Sequence, residues 1–312
     1  MLVIRICVYA DGHPSRGFGH LYRMKSLWER CFRTKTSSFL SINDMESSFY
    51  TKHGMPFFDL SHPNPCDLLI VDTKVDLPEQ ILESPRSFTI GVDSVSGWAA
   101  EADSLIFPTF YFNKKRLPQS LAVRNVLGGR EFTLIRPPAT AKVSRPILIT
   151  FGGSDPNNIT EKVLSILKVE GLLEDVTVII GPGFAGFERI YTNFSEAEIL
   201  YSVPTTTEYV ASAETVITAL GTTLQEVEFF QKKGAVIANY EPDALDFDAV
   251  LEGSVCPNNW VYCGSFNNID AGVLCEHVTS AQTQLDSRIA PALLSSWGAG
   301  WESLINWYSE VL

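Results

Sequence analysis

Apolar residues along this 312-residue chain follow two alternating rhythms. Leu2–Tyr9 is a nearly continuous apolar run of strand length. Leu21, Met24, Leu27, Trp28 and Phe32 then recur at three- and four-residue spacing, which predicts a helix over 21–33 with one face on a core. Further apolar runs predict strands at Ser38–Ile42, Leu68–Asp72, Ser87–Val92 and Ser104–Phe107. Strands that are apolar on both sides and alternate with helices predict a parallel sheet covered on both faces.

The rhythm breaks at Pro137–Pro146, which holds three prolines and almost no large apolar residue. Such a segment reads as a domain boundary. A second series follows. Strands are predicted at Ile147–Phe151, Val176–Ile180, Ile199–Val203, Thr215–Thr218, Ala235–Asn239 and Trp260–Cys263. Helices are predicted at Ile159–Leu167, Thr205–Ala213, Thr223–Lys232 and near Ala271–Gln284. Gly300–Leu312 carries Trp301, Leu304, Ile305, Trp307, Tyr308 and Val311, an amphipathic helical pattern. The division expected is an N-terminal Rossmann-like domain over 1–140, a second over 146–290, and a C-terminal helix within 291–312 packing back on the first. The repeated grammar predicts two similar α/β domains with parallel sheets facing across a cleft.

The charge narrows the partners. Net charge is −12 and the sequence pI is about 4.9, so no basic surplus exists to displace counterions from nucleic acid. The six cysteines form no C-x-x-C pair, which argues against a zinc ribbon or a redox motif. Nothing at the amino terminus has signal-peptide grammar, and no apolar run approaches membrane-spanning length. A cytoplasmic chain without membrane insertion is expected, and the Asn-x-Ser/Thr triplets at Asn158 and Asn193 then carry no meaning.

Three loops could hold a ligand. The first, opened by Asp11, reads Asp-Gly-His-Pro-Ser-Arg16-Gly17-Phe-Gly19-His20-Leu-Tyr-Arg23. Its glycines permit a tight strand-to-helix turn, and His20 falls in the first helical turn, flanked by the cations Arg16 and Arg23. Imidazole titrates near neutrality, so His20 is the candidate general base. Arg23 stands where a dinucleotide fingerprint needs glycine, so no nicotinamide site is read. Asp72 and Asp93 end two strands, a position that points into a ligand crevice or serves an ordinary turn. The second loop is Gly152-Gly153-Ser154-Asp155-Pro156-Asn157-Asn158. It is either an anion site suited to a diphosphate or a tight turn, with Asn158 and Glu161 spaced as a capping pair. The third is Gly221-Thr222-Thr223-Leu224-Gln225-Glu226. It is either a helix cap or a nucleotide contact in which Glu226 accepts from ribose hydroxyls.

Taken together, Gly17-Phe-Gly19-His20-x-x-Arg23, Phe151-Gly-Gly-Ser-Asp-Pro156 and Gly221-Thr-Thr-x-x-Glu226 resemble the UDP-sugar hydrolases of pseudaminic acid biosynthesis and their spore-coat polysaccharide relatives. Asp67-Leu-Leu-Ile-Val-Asp72 and Gly129-x-x-Phe132-Thr-Leu-Ile-Arg136-Pro137 are similar to further landmarks of that family, in order. The resemblance covers roughly residues 1–240. It implies a GT-B fold and hydrolysis of a UDP-linked diacetamido-trideoxyhexose at its anomeric carbon with inversion. It further implies His20 as base for water, the nucleotide on the C-terminal domain, and no metal or cofactor. The chain departs from the family at Thr73-Lys74, where a tyrosine is usual. Leu220-Gly221 replaces paired glycines, and the usual Asn-Gln after the next strand is missing. A glycosyltransferase with a UDP-sugar donor and a non-catalytic UDP-sugar binding homologue therefore stay open.

Overall fold

The structure is a computed structural model. It describes residues 4–12, 19–59, 65–122, 125–135, 145–240, 243–280 and 296–311. Arg16, Gly17 and most of the proline-rich boundary segment lie outside the described residues. The chain divides into two compact units, Met1–Leu134 with Ser295–Leu312, and Ile135–Leu294.

The first unit runs β1 (Ile6–Ala10), α1 (Gly19–Leu27), β2 (Ser37–Ser41), α2 (Asp44–Lys52), β3 (Phe57–Asp59), β4 (Cys66–Asp72), α3 (Glu79–Leu82), β5 (Arg86–Val92), β6 (Ser104–Phe107), α4 (Gln119–Ala122) and β7 (Asn125–Gly128). Its sheet has the order β3-β2-β1-β4-β5-β6-β7, and every pairing is parallel. Alternation along β1 and β4 supplies both faces. Ile6, Val8, Ala10, Leu68 and Ile70 enter one core, while Cys7, Tyr9, Leu69 and Val71 enter the other.

The second unit runs β8 (Ile147–Ile149), α5 (Ile159–Val169), β9 (Val176–Ile180), α6 (Phe187–Asn193), β10 (Glu198–Tyr201), α7 (Thr207–Val210), β11 (Thr215–Thr218), α8 (Thr222–Phe229), β12 (Lys233–Ala238), α9 (Asp243–Gly253), β13 (Trp260–Ser265), β14 (Asn268–Ile269) and α10 (Ala271–Thr279). Its order is β10-β9-β8-β11-β12-β13-β14, parallel except for the last, antiparallel pair. Both units are thus doubly wound α/β folds.

The tail helix α11 (Ala299–Val311) belongs to the first unit. Trp301, Ile305 and Tyr308 enter its core. Trp301 Nε1 donates to the Phe132 carbonyl at 2.6 Å, and Arg30 Nε pairs with Glu302 at 2.8 Å.

Several expected bounds shift. The helix expected over 21–33 starts at Gly19 and widens into a π-helical turn over Trp28–Phe32. Segments β3, β7 and α2 were not expected, because short runs such as Phe57–Asp59 and Asn125–Gly128 hold too few apolar residues to show a period. They are ordered by the strands beside them.

Candidate functional site

Topology decides where each unit gathers its loops. In the first sheet the chain leaves β1 toward β2 and β3, then returns to lay β4 on the other side of β1. Loops after β1 and β4 therefore diverge at a switch point, where open α/β sheets bind ligands. His20 and Arg23 follow β1 and Asp72 ends β4, with Ala10 and Asp72 in register.

These residues form one network. His20 Nδ1 lies 2.6 Å from Asp72 Oδ1. Arg23 grips the same carboxylate as a fork, Nε to Oδ2 at 2.8 Å and one terminal nitrogen to Oδ1 at 2.7 Å. Its other terminal nitrogen donates to Asp93 Oδ2 at 3.0 Å. Asp72 is fully buried, and the His20 and Arg23 side chains are 13% and 12% exposed. Burial by itself would raise the Asp72 carboxyl. The Arg23 guanidinium, and then His20, outweigh it and hold Asp72 well below the usual carboxylate range. Asp93 takes a left-handed backbone with φ 50°, a region that aspartate tolerates better than most residues.

The network sets the state of the imidazole. An ionised carboxylate only accepts, so the His20 nitrogen facing Asp72 carries the hydrogen, and Nε2 of the neutral ring keeps its lone pair. A histidine held in this way can take a proton from a hydroxyl or from water, while the carboxylate stabilises the imidazolium that results. Gly19 starts the helix, and among the described residues nothing stands within 4 Å of where its Cβ would be. Asp11 is buried, and its amide donates to the Asp72 carbonyl at 3.2 Å.

In the second unit the switch point lies between β8 and β11, which brings the Gly152 and Gly221 loops to one sheet edge. In the first loop it is the capping expectation for Asn158 that is corrected. Asp155 turns its own carboxylate onto the start of α5, accepting from Ile159 N at 2.9 Å and Thr160 N at 2.8 Å. The helix end is thus satisfied from within. Asn158 makes no cap with its side chain, and Glu161 pairs with Arg189 at 2.7 Å instead. Gly152 is exposed with φ 79°. Gly153 and the partly exposed Ser154 lie against Gly183, whose amide donates to the Gly153 carbonyl at 2.8 Å. Asn157 Nδ2 donates to the Asn239 carbonyl at 2.7 Å, tying this loop to the end of β12.

The capping reading of Glu226 is also corrected. Gly221 precedes α8 without a side-chain cap. Thr222 is exposed and Thr223 buried. Glu226 accepts from the Thr206 hydroxyl at 2.9 Å on one oxygen and from the Thr207 hydroxyl on the other. Burial pushes its carboxyl up to about 7, against the lowering effect of the two threonines. The run Thr205-Thr206-Thr207 was visible in the sequence. Its pairing with a residue some twenty positions on was not, because that contact exists only once α7 packs beside α8.

The chain has a GT-B-like fold. UGT89C1 of Arabidopsis thaliana, solved in complex with UDP, is similar over 98% of this chain and 99% of that one, with a TM-score of 0.64 and 12% identity. The calicheamicin glycosyltransferase CalG4 is similar over 99% and 98%, with a TM-score of 0.63 and 10% identity. MurG of Acinetobacter baumannii is similar over 96% and 94%, with a TM-score of 0.54 and 12% identity. No family model matches the chain. An uncharacterized protein of Methanocaldococcus jannaschii is 22% identical in an alignment 288 residues long that covers 80% of this chain. The aligned region spans 58% of that relative's length. Among the described residues, no helix is long and apolar enough to cross a membrane.

Proposed function

We propose that this protein is a glycosyl-transferring enzyme that uses a UDP-sugar donor, with His20 as general base. The observation that carries this reading is the His20–Asp72 pair at 2.6 Å, reinforced by the Arg23 fork. In the proposed step an acceptor hydroxyl gives its proton to His20 Nε2 as its oxygen bonds to the anomeric carbon. The bond from that carbon to the diphosphate oxygen breaks, and UDP leaves with the electron pair. Asp72 steadies the imidazolium, a positive charge in a partly buried place. The second unit takes the nucleotide. Glu226 accepts from the ribose hydroxyls in place of Thr206 and Thr207, and the Gly221-Thr222-Thr223 turn, with the positive end of α8, receives the diphosphate. Gly152, Gly153 and Ser154 line the same sheet edge. The structural neighbour named as a glycosyltransferase, and the UGT89C1 structure that holds UDP, support this reading.

A second reading rests on the order of motifs from Gly17 to Glu226. There water replaces the acceptor hydroxyl, and the enzyme hydrolyses a UDP-linked diacetamido-trideoxyhexose. Release of UDP from a panel of UDP-sugars, with and without hydroxyl acceptors, separates the two. Acceptor-dependent release supports transfer, and release in water alone supports hydrolysis. Full activity in a folded His20→Ala variant rules out the base in either.

A further inference from the structure

Lys74 stands two residues past the end of β4 and pairs with Asp93, the outer carboxylate of the His20 network. Its Nζ lies 3.7 Å from Asp93 Oδ2, the oxygen that already accepts from Arg23 at 3.0 Å. The Lys74 side chain remains 63% exposed. A long, exposed ion pair of this kind contributes little to stability. Arg23 links Asp93 to His20. It touches Asp93 with one terminal nitrogen and lies 3.2 Å from His20 Nδ1 with the other.

The neighbours of Lys74 give a second observation. Val75 and Val95 are 37% and 58% exposed, on the loops after the adjacent strands β4 and β5. Those loops are fastened together, because Trp98 Nε1 donates to the Val75 carbonyl at 3.1 Å and Lys74 reaches Asp93 across the same gap. One ammonium and two exposed aliphatic side chains thus stand on two neighbouring, mutually braced loops, the first of them at the switch point. The chain as a whole carries −12, so an anion is favoured at such a local cation and opposed elsewhere.

Building on the transferase reading, we propose that Lys74, Val75 and Val95 form the acceptor subsite. It selects an acceptor that carries an anionic oxygen group beside an apolar ring or chain. With the reacting hydroxyl at His20 Nε2, the anionic group pairs with Lys74 and the apolar part covers the valines. A diphosphate is the other anion a lysine would pair with, and the test distinguishes the two.

Binding of para-nitrophenyl glucuronide and para-nitrophenyl glucoside is measured by calorimetry on the full chain without donor, and binding of UDP separately. The unsubstituted protein is expected to bind the glucuronide at least ten-fold more tightly than the glucoside. Lys74→Glu is expected to abolish that preference while leaving the Kd for UDP unchanged, and Val95→Ser to weaken both glycosides alike. Equal binding of the two glycosides, or binding of neither, overturns the proposal, and so does weakened UDP binding in Lys74→Glu. Because the glycoside arm needs no turnover, its failure is distinct from failure of the transferase reading, which UDP release reports.

Discussion

His20 and Asp72 are fifty-two positions apart in sequence, yet Nδ1 of one lies 2.6 Å from Oδ1 of the other. The register of β1 with β4 brings them together, and Arg23 from the same helix as His20 closes the set. An orienting carboxylate acts by fixing the tautomer of its histidine and stabilising the charged ring. Asp72→Asn is therefore expected to lower kcat by about 10³–10⁴, with a far smaller change in KM for the UDP-sugar. Steady-state kinetics on the variant check this.

Removal of Arg23 leaves the buried Asp72 without its main counter-charge. Arg23→Ala is expected to cost about 3–5 kcal/mol of stability. Arg23→Lys keeps the charge but loses the fork and the reach to Asp93, so an intermediate loss is expected. Urea denaturation at neutral pH gives both values.

The Asp72 carboxyl is held below its unfolded value, so its stabilisation is complete above that value. It is lost as pH falls from about 3.9, the unfolded pKa of aspartate, toward the folded pKa. Stability of the unsubstituted protein should fall steeply on acidification through this window. Asp72→Asn, less stable at pH 7, should show a shallower fall. Denaturation midpoints between pH 6 and pH 2 decide it.

Glu226 has the opposite sign. Its carboxyl is pushed up to about 7 by burial, above the unfolded value of about 4.3. The folded form then binds the extra proton, and the contribution present at low pH is lost as pH rises through about 7. Glu226→Gln, which keeps the shape without the charge, should be more stable than the unsubstituted protein at pH 8 and indistinguishable from it at pH 4. UDP affinity should rise from pH 6 to pH 8 in the unsubstituted protein, as the carboxylate becomes a full acceptor. Glu226→Gln should remove that rise. Thermal melts and UDP titrations across this range test both halves.

Glu46 is wholly buried and bridges two loops. It accepts from Gly12 N at 3.3 Å and Ile42 N at 2.9 Å. Glu46→Ala leaves those amides without their acceptor, and a loss of about 1–3 kcal/mol is expected. Gly12 starts the segment that leads to His20, so its amide should exchange faster in the variant by hydrogen-exchange mass spectrometry.

Much of the architecture is legible in the linear pattern. The strands Ser104–Phe107, Val176–Ile180 and Thr215–Thr218 stand at their expected positions, and β1 ends one residue past its expected end but leaves Ile4 and Arg5 outside it. Burial on both faces leaves runs that no polar residue interrupts, so they are visible before folding. His20 and the glycines before α1 and α8 are legible for a local reason, since strand-to-helix turns need particular residue types. The partners were not legible. Nothing in the sequence joins Asp72 to His20, Glu226 to the two threonines, or Lys74 to Asp93. The correction at Asp155 has the same root. Asn158 and Glu161 have capping spacing, but the left-handed backbone at Asp155 and Asn158 gives the helix start to the earlier carboxylate. Patterning along the chain is a one-dimensional consequence of burial and determined the two doubly wound units. Which side chains meet depends on strand order and register, which place distant residues within hydrogen-bonding distance, and only the tertiary structure decided that.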